Sequence, residues 1–180
     1  MIKDFIRTVP NYPVKGVNFY DLNSLFAGPM FKTVIGLLLD KATSMKTPTH
    51  IIGVESRGFV LGSAVAYALG LPFVMVRKKG AKYPGKLLKE SYELEYGKAT
   101  LVLQEGLLGH TDRCIIVDDL VATGGSLDAT AKLVEQTGAK TLGALAVIDL
   151  KYVRNKGDFD YPVYSFCLLY TSPSPRDQRG

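Results

Sequence analysis

Asp118-Asp119-Leu120-Val121-Ala122-Thr123-Gly124-Gly125-Ser126 sets a pair of carboxylates just ahead of small and hydroxylated residues. Each residue type suits one half of a phosphorylated sugar. Gly124 and Gly125 let the backbone close tightly around a phosphate. The hydroxyls of Thr123 and Ser126 can donate further hydrogen bonds to it. Asp118 and Asp119 repel a phosphate, so they suit sugar hydroxyls or a Mg²⁺ ion, whose hard charge prefers oxygen.

The flanking residues supply the elements that would hold this group. Cys114 to Val117 is a short apolar run, mostly β-branched, as in a strand covered on both faces. Leu127 to Val134 reads as a helix whose positions 127, 131 and 134 share one face. A strand, a tight turn and a helix N-terminus make an anion cradle, because the first helical N–H groups lack internal partners and carry partial positive charge.

A second such site lies upstream. His50-Ile51-Ile52-Gly53-Val54 reads as a strand, and Phe59 to Leu69 as an apolar helix. Gly62, Ala64, Ala66 and Ala68 let that helix pack closely on a sheet. Between strand and helix, Ser56-Arg57-Gly58 places a guanidinium at a helix N-terminus, suited to bidentate contacts with anionic oxygens. Leu71 to Val76 is a third strand. Arg77 to Lys86 then carries five cations among ten residues, with glycine and proline between them. This suggests a mobile, positively charged lid able to exclude water from an activated substrate. Ser91 to Gly97 and Thr100 to Gln104 alternate like the arms of a hairpin. Thr141 to Ile148 is a last central strand, and Asp149 to Phe166 should be a loop and an edge strand.

Towards the N-terminus, Val9 to Pro13 is an extended entry and Gly16 to Leu22 a short strand or loop. Gly28-Pro29 opens a helix with a stripe of Met30, Val34, Leu37 and Leu38, ended by Thr47-Pro48. His50 and His110 have no local partner at ligand spacing and are expected to be solvated. Strands alternating with helices imply a mostly parallel sheet with helices on both faces. The phosphate turn then falls at the strands' C-terminal edge, where such folds bind ligands.

The chain has 180 residues, a formal charge of +5, 47% hydrophobic residues and two cysteines. That suits one domain with one substantial core and no disulfide framework, in a reducing, cytoplasmic setting. No apolar run reaches transmembrane length. The cations cluster locally rather than along a stripe, against a nucleic-acid groove. Cys167 to Asp177 resembles the translation of a transposon adapter used in sequencing libraries. The domain is therefore expected to span 1–166, with 167–180 a non-native, disordered tail.

Val117-Asp118-Asp119-Leu120-Val121-Ala122-Thr123-Gly124-Gly125-Ser126 resembles the phosphoribosyl-pyrophosphate (PRPP) motif of the type I phosphoribosyltransferases. The Asp-Asp-Leu and Ala-Thr-Gly-Gly forms are similar to the adenine phosphoribosyltransferase family in particular. Glu55-Ser56-Arg57-Gly58-Phe59 is similar to that family's pyrophosphate loop, Gly16 to Leu22 to its base-binding segment, and Ser91 to Gly97 to its acid–base segment.

The resemblance covers roughly residues 9–150. It implies the type I phosphoribosyltransferase fold, an α/β core with a mostly parallel central sheet flanked by helices and a small N-terminal hood. It implies the reaction of adenine with PRPP to give AMP and pyrophosphate. Ala122 to Ser126 would hold the 5′-phosphate, and Asp118 and Asp119 the ribose hydroxyls. Ser56, Arg57, Arg77, Lys78 and Lys82 would hold pyrophosphate. Phe19 and Leu120 would sandwich the base, with backbone contacts from Asn18 and Tyr20. Glu95 would be the acid–base residue and Tyr96 would shape the site. Mg²⁺ would bind mainly through PRPP, near Asp118 and Asp119, and a homodimer is the family norm.

Two departures stand out. Tyr20 occupies a position where the family often has Arg or Lys. Ala81 reads as a one-residue insertion into Arg-Lys-x-Gly-Lys-x-Pro, which loosens the assignment of Lys82. Two alternatives stay open: a phosphoribosyltransferase for another purine base, and a non-catalytic PRPP-sensing regulator.

Overall fold

A computed structural model describes residues 2–80, 82–94, 97–153 and 159–169. After a short 3-10 turn, β1 (Arg7–Pro10) pairs antiparallel with β2 (Asn18–Asp21) as a separate two-stranded hood. Then come α1 (Asn23–Phe26), α2 (Met30–Ser44), β3 (His50–Val54), α3 (Arg57–Leu69) and β4 (Phe73–Lys78). A hairpin follows, β5 (Leu87–Glu93) and β6 (Lys98–Gln104), leading to β7 (Arg113–Val117) and the short β8 (Leu120–Val121). The last elements are α4 (Gly125–Gln136), β9 (Lys140–Leu150) and β10 (Val163–Leu169).

The main sheet runs β10-β9-β7-β3-β4-β6-β5, with β8 pairing β9 off this path. The pairs from β10 to β4 are parallel; β6 joins β4 antiparallel and carries β5. The expected parallel core with helical cover is thus present, extended by an antiparallel hairpin.

Strand alternation divides the core. Ile51, Ile115, Val117, Leu145 and Val147 pack with Val34 and Leu38 of α2 and Leu61 and Val65 of α3. Ile52, Val54, Cys114, Ile116, Ala144 and Ala146 pack with Leu127, Ala131 and Val134 of α4 on the other face. Burial pushes the Cys114 thiol up to about 12, so this cysteine is inert packing material. The small residues of α3 have a definite use: a Cβ on Gly62 would come within 2.8 Å of the Phe73 ring.

Three expectations change. β10 continues through the expected boundary at Phe166, and Cys167 to Leu169 pair with Ile148 to Leu150 of β9. Cys167 and Leu169 face the core, and that apolar alternation outweighs the Pro/Ser signal just beyond them. Residues 170–180 lie outside the described residues. Arg77 and Lys78, assigned to a mobile lid, are strand residues paired with Val102 and Leu101 of β6. His50 is not solvated: its Nδ1 lies 3.0 Å from Thr49 Oγ1 and 3.4 Å from Asp112 Oδ1. That acidic partner comes from the loop before β7, out of reach of any local spacing rule.

Candidate active site

The acids sit where β7 ends and β8 begins, and both strands are tied to β9. The Asp118 N–H donates to Leu145 O, and the carbonyl of Asp119 accepts from the N–H groups of Val147 and Ile148. Asp118 and Asp119 are each only 6% exposed. Asp118 Oδ1 accepts the Asp119 N–H at 2.8 Å, and Asp118 Oδ2 accepts the Ser126 hydroxyl at 3.3 Å. Burial first, and the neighbouring Asp119 charge second, hold the Asp118 carboxyl well above the usual carboxylate range.

Close approach of α3 to β7 makes this burial possible. A Cβ on Gly58 would stand 2.6 Å from Val117 O and 3.3 Å from Asp118 Cα. Backbone on both sides leaves no flexible atom to give way. Gly58→Ala is expected to cost about 1–3 kcal/mol, the usual cost of overpacking. Thermal melting should read this as a loss of roughly 2–12 °C. An unchanged midpoint would show that the helix can lift away without penalty.

The cradle follows β8. Gly124 has φ +88°, a left-handed conformation that favours glycine, and its carbonyl accepts the Asp128 N–H as α4 begins. Two aromatic rings cover the cradle glycines. A Cβ on Gly124 would meet the Phe159 ring at 2.8 Å, and one on Gly125 would meet Tyr92 at 2.7 Å. Ala122, Thr123 and Ser126 remain half-buried. Ser126, expected as a donor to a phosphate, here donates its hydroxyl to Asp118 Oδ2.

Arg57 reaches back from the first turn of α3. Its Nε lies 2.7 Å from Asp119 Oδ2, an ion pair in which that buried oxygen has no aligned hydrogen bond. Its guanidinium carbon is 5.5 Å from the Phe19 ring centroid, and its Nη1 donates to Tyr20 O at 3.4 Å. Arg77 is also paired, with Nε 3.3 Å from Glu55 Oε2, which accepts the Lys78 N–H as well. The Tyr83 ring stacks on Arg77 at 5.2 Å. Ser56, Lys78 and Lys82 are exposed. Glu95, Tyr96 and Ala81 lie outside the described residues.

Two cavities open at this edge. The smaller, about 240 Å³, is lined by all four candidate base residues, Asn18, Phe19, Tyr20 and Leu120. Arg57, Ala122, Leu150, Tyr152 and Val153 complete most of its wall. The larger, about 670 Å³, runs between the β5–β6 hairpin and α4 and includes Thr123 and Gly125 of the cradle. The smaller has apolar faces and a polar rim, a combination that fits a flat heterocycle. Tyr152 and Val153 line both. Sequence reasoning missed them, along with Leu150. Nothing local marks them, since they lie in stretches read as plain loop or strand.

Among the described residues, no group of three or more His, Cys, Asp or Glu could hold a metal ion. Asp118 and Asp119 offer adjacent hard oxygens, and Asp119 Oδ2 is paired with Arg57 but accepts no aligned hydrogen bond. Such a pair fits a Mg²⁺ whose remaining ligands come from a bound phosphate compound.

A parallel sheet bearing an acidic pair, a glycine cradle and a guanidinium loop at its C-terminal edge defines a class. Residues 22–168 match the phosphoribosyl transferase domain. The chain is 41% identical over 164 residues to adenine phosphoribosyltransferase of Rhodospirillum rubrum, covering 91% of this chain and 95% of that protein. It is 45% identical over 171 residues to the enzyme of the same name from Haemophilus ducreyi, covering 94% of each. The crystal structure of the Saccharomyces cerevisiae enzyme, complexed with an imino-altritol bisphosphate and adenine, superposes with a TM-score of 0.83 at 38% identity. That superposition covers 91% of this chain and 95% of the yeast chain. The chain belongs to the adenine phosphoribosyltransferase family, and its fold is the type I phosphoribosyltransferase fold.

Proposed function

We propose that this chain transfers the 5-phosphoribosyl group from PRPP to adenine, giving AMP and pyrophosphate in purine salvage. The observation that carries the reading is a base-sized cavity, walled by Phe19, Leu120 and Leu150, opening beside Asp118, Asp119 and the Ala122–Ser126 turn. The relatives' names support the same reading.

In this reading Ala122, Thr123 and Ser126 hold the 5′-phosphate at the α4 N-terminus. Asp118 and Asp119 accept hydrogen bonds from the ribose hydroxyls. Ser56, Arg57, Arg77, Lys78 and Lys82 neutralise pyrophosphate as the bond from C1 of the sugar to its oxygen breaks. Arg57 and Arg77 must exchange Asp119 and Glu55 for phosphate oxygens, so each acid also keeps a cation in place before substrate arrives. A ring nitrogen of adenine bonds to C1, and Glu95 manages the proton of the purine ring. Asp118 and Asp119 would hold Mg²⁺ together with PRPP. When bound, the ion supplies positive charge that stabilises the departing pyrophosphate. A cytoplasmic homodimer belongs to the same reading: free cysteines suit a reducing compartment, and the dimer follows the family norm.

Pyrophosphate release from PRPP and Mg²⁺, measured with adenine, hypoxanthine, guanine, xanthine and orotate in turn, tests the proposal. Strong preference for adenine is expected. Preference for another base would keep the phosphoribosyl half and overturn the base assignment. Release with none, while PRPP still binds, would favour a sensor.

A further inference from the structure

The structure gives the Tyr20 side chain a definite place beside the base segment. It turns inward and is only 5% exposed. Its carbonyl accepts from Arg57 Nη1 at 3.4 Å, and its hydroxyl lies 3.4 Å from the hydroxyl of Tyr152. Burial and the Tyr152 contact both raise the Tyr20 phenol far above its ordinary value, so it stays neutral, and either hydroxyl can be the donor.

Tyr152 stands in a built turn at the end of β9. The Val153 N–H donates to Leu150 O at 3.0 Å, and Lys151 pairs with Asp149 at 3.0 Å. Tyr152 is also one of the two residues lining both the base cavity and the larger cleft beside the cradle. The hydroxyl pair therefore joins the hood, which carries one wall of the base cavity, to the β9 turn, which carries the opposite wall. A separation of 3.4 Å exceeds the usual range of about 2.5–3.0 Å for O–H···O.

We propose that the Tyr20–Tyr152 hydroxyl pair clamps the hood to the β9 turn and sets the width of the base cavity. Both are positioning residues for the planar base. The clamp acts on base binding and leaves the phosphate and pyrophosphate contacts alone. This inference rests on the proposed function, since it concerns the base half of that site.

The test is a double-mutant cycle of Tyr20→Phe, Tyr152→Phe and both together, with KM for adenine, KM for PRPP and kcat measured for each. Phenylalanine keeps the ring and its packing, so the fold should survive. Tyr152→Phe, at a half-exposed turn, covers the case in which the buried change does not fold. Each single variant should raise KM for adenine about 2- to 12-fold, the span of one net hydrogen bond. KM for PRPP and kcat should hold within about twofold. The double variant should be no worse than either single one, because one hydroxyl has nothing to pair with once the other is gone. Unchanged KM for adenine would overturn the clamp. So would additive losses, or equal losses in KM for PRPP and kcat, which mark general damage. A parent chain that releases no pyrophosphate with any of the bases would instead defeat the proposed function, and the clamp with it. Parent activity with indifferent variants defeats the clamp alone.

Discussion

Glu95→Gln is expected to lower turnover by about 10²–10⁴-fold, the usual contribution of a positioned acid–base group. Glutamine keeps the shape and loses the proton exchange, so PRPP should still bind. The described residues flanking position 95 are tied to α4. The Leu94 N–H donates to Gly97 O at 2.9 Å, closing the hairpin end. β5 is held to α4 by Lys132 Nζ 3.6 Å from Glu90 Oε1, and by Gln136 Nε2 donating to Glu90 Oε2 at 3.1 Å. Glu93 O comes within 3.1 Å of where a Cβ on Gly125 would stand. β5 is thus tied to α4, the helix that follows the Ala122–Ser126 turn. Rates of pyrophosphate release and a PRPP titration, run on the same preparation, give the answer. Turnover within about tenfold of the parent would remove Glu95 from the mechanism. Loss of PRPP binding would reassign it to the phosphate site.

Asp118→Asn should separate stability from activity. The folded Asp118 carboxyl titrates above its unfolded value, mainly through burial and next through the Asp119 charge. For a raised group the stabilising contribution is complete below the unfolded value, roughly 3.9. It is lost as pH climbs through the folded value. At neutral pH this carboxyl is therefore a cost to the fold. Asparagine removes the ionisation, can still accept the Asp119 N–H, and can reverse the hydrogen bond with Ser126. At pH 7 the variant should be more stable by about 0.5–2 kcal/mol, within the range seen when functional strain is relieved. The gain should shrink as pH falls towards roughly 4. Losing a charge-assisted hydrogen bond to a sugar hydroxyl should cost roughly 10- to 100-fold in kcat/KM. Melting curves at several pH values, paired with initial rates, decide it. A lower melting temperature at pH 7 would contradict the burial argument. Unaltered rates would contradict the ribose assignment.

How readable each part of this protein was depended on how much of it is contiguous. The strand, acid pair, turn and helix from Cys114 to Val134 follow one another directly. Their apolar runs, small residues and turn chemistry act within a few residues, so sequence specified this unit well. The same holds for β3, Ser56-Arg57-Gly58 and α3. The family resemblance added the base segment around Phe19, whose local pattern says only that it is aromatic.

Long-range placement decided the rest. Arg77 and Lys78 look like lid residues until β6 pairs with them and Glu55 holds them. His50 looks solvated until Asp112 arrives from the neighbouring strand's loop. Cys167 to Leu169 look like a tail until β9 supplies a parallel partner.

By itself, then, the amino-acid sequence determined the α/β class, the strand–turn–helix around Ala122–Ser126 and the identity of the groups at hand, because local propensity and spacing carry that information. The family resemblance had grouped Asn18, Phe19, Tyr20 and Leu120; only the tertiary structure added Arg57, Leu150 and Tyr152 to one cavity with them, and only burial beside Asp119 raised the Asp118 carboxyl. Desolvation and through-space contact depend on which strands lie side by side, and strand order is settled by packing across the whole core.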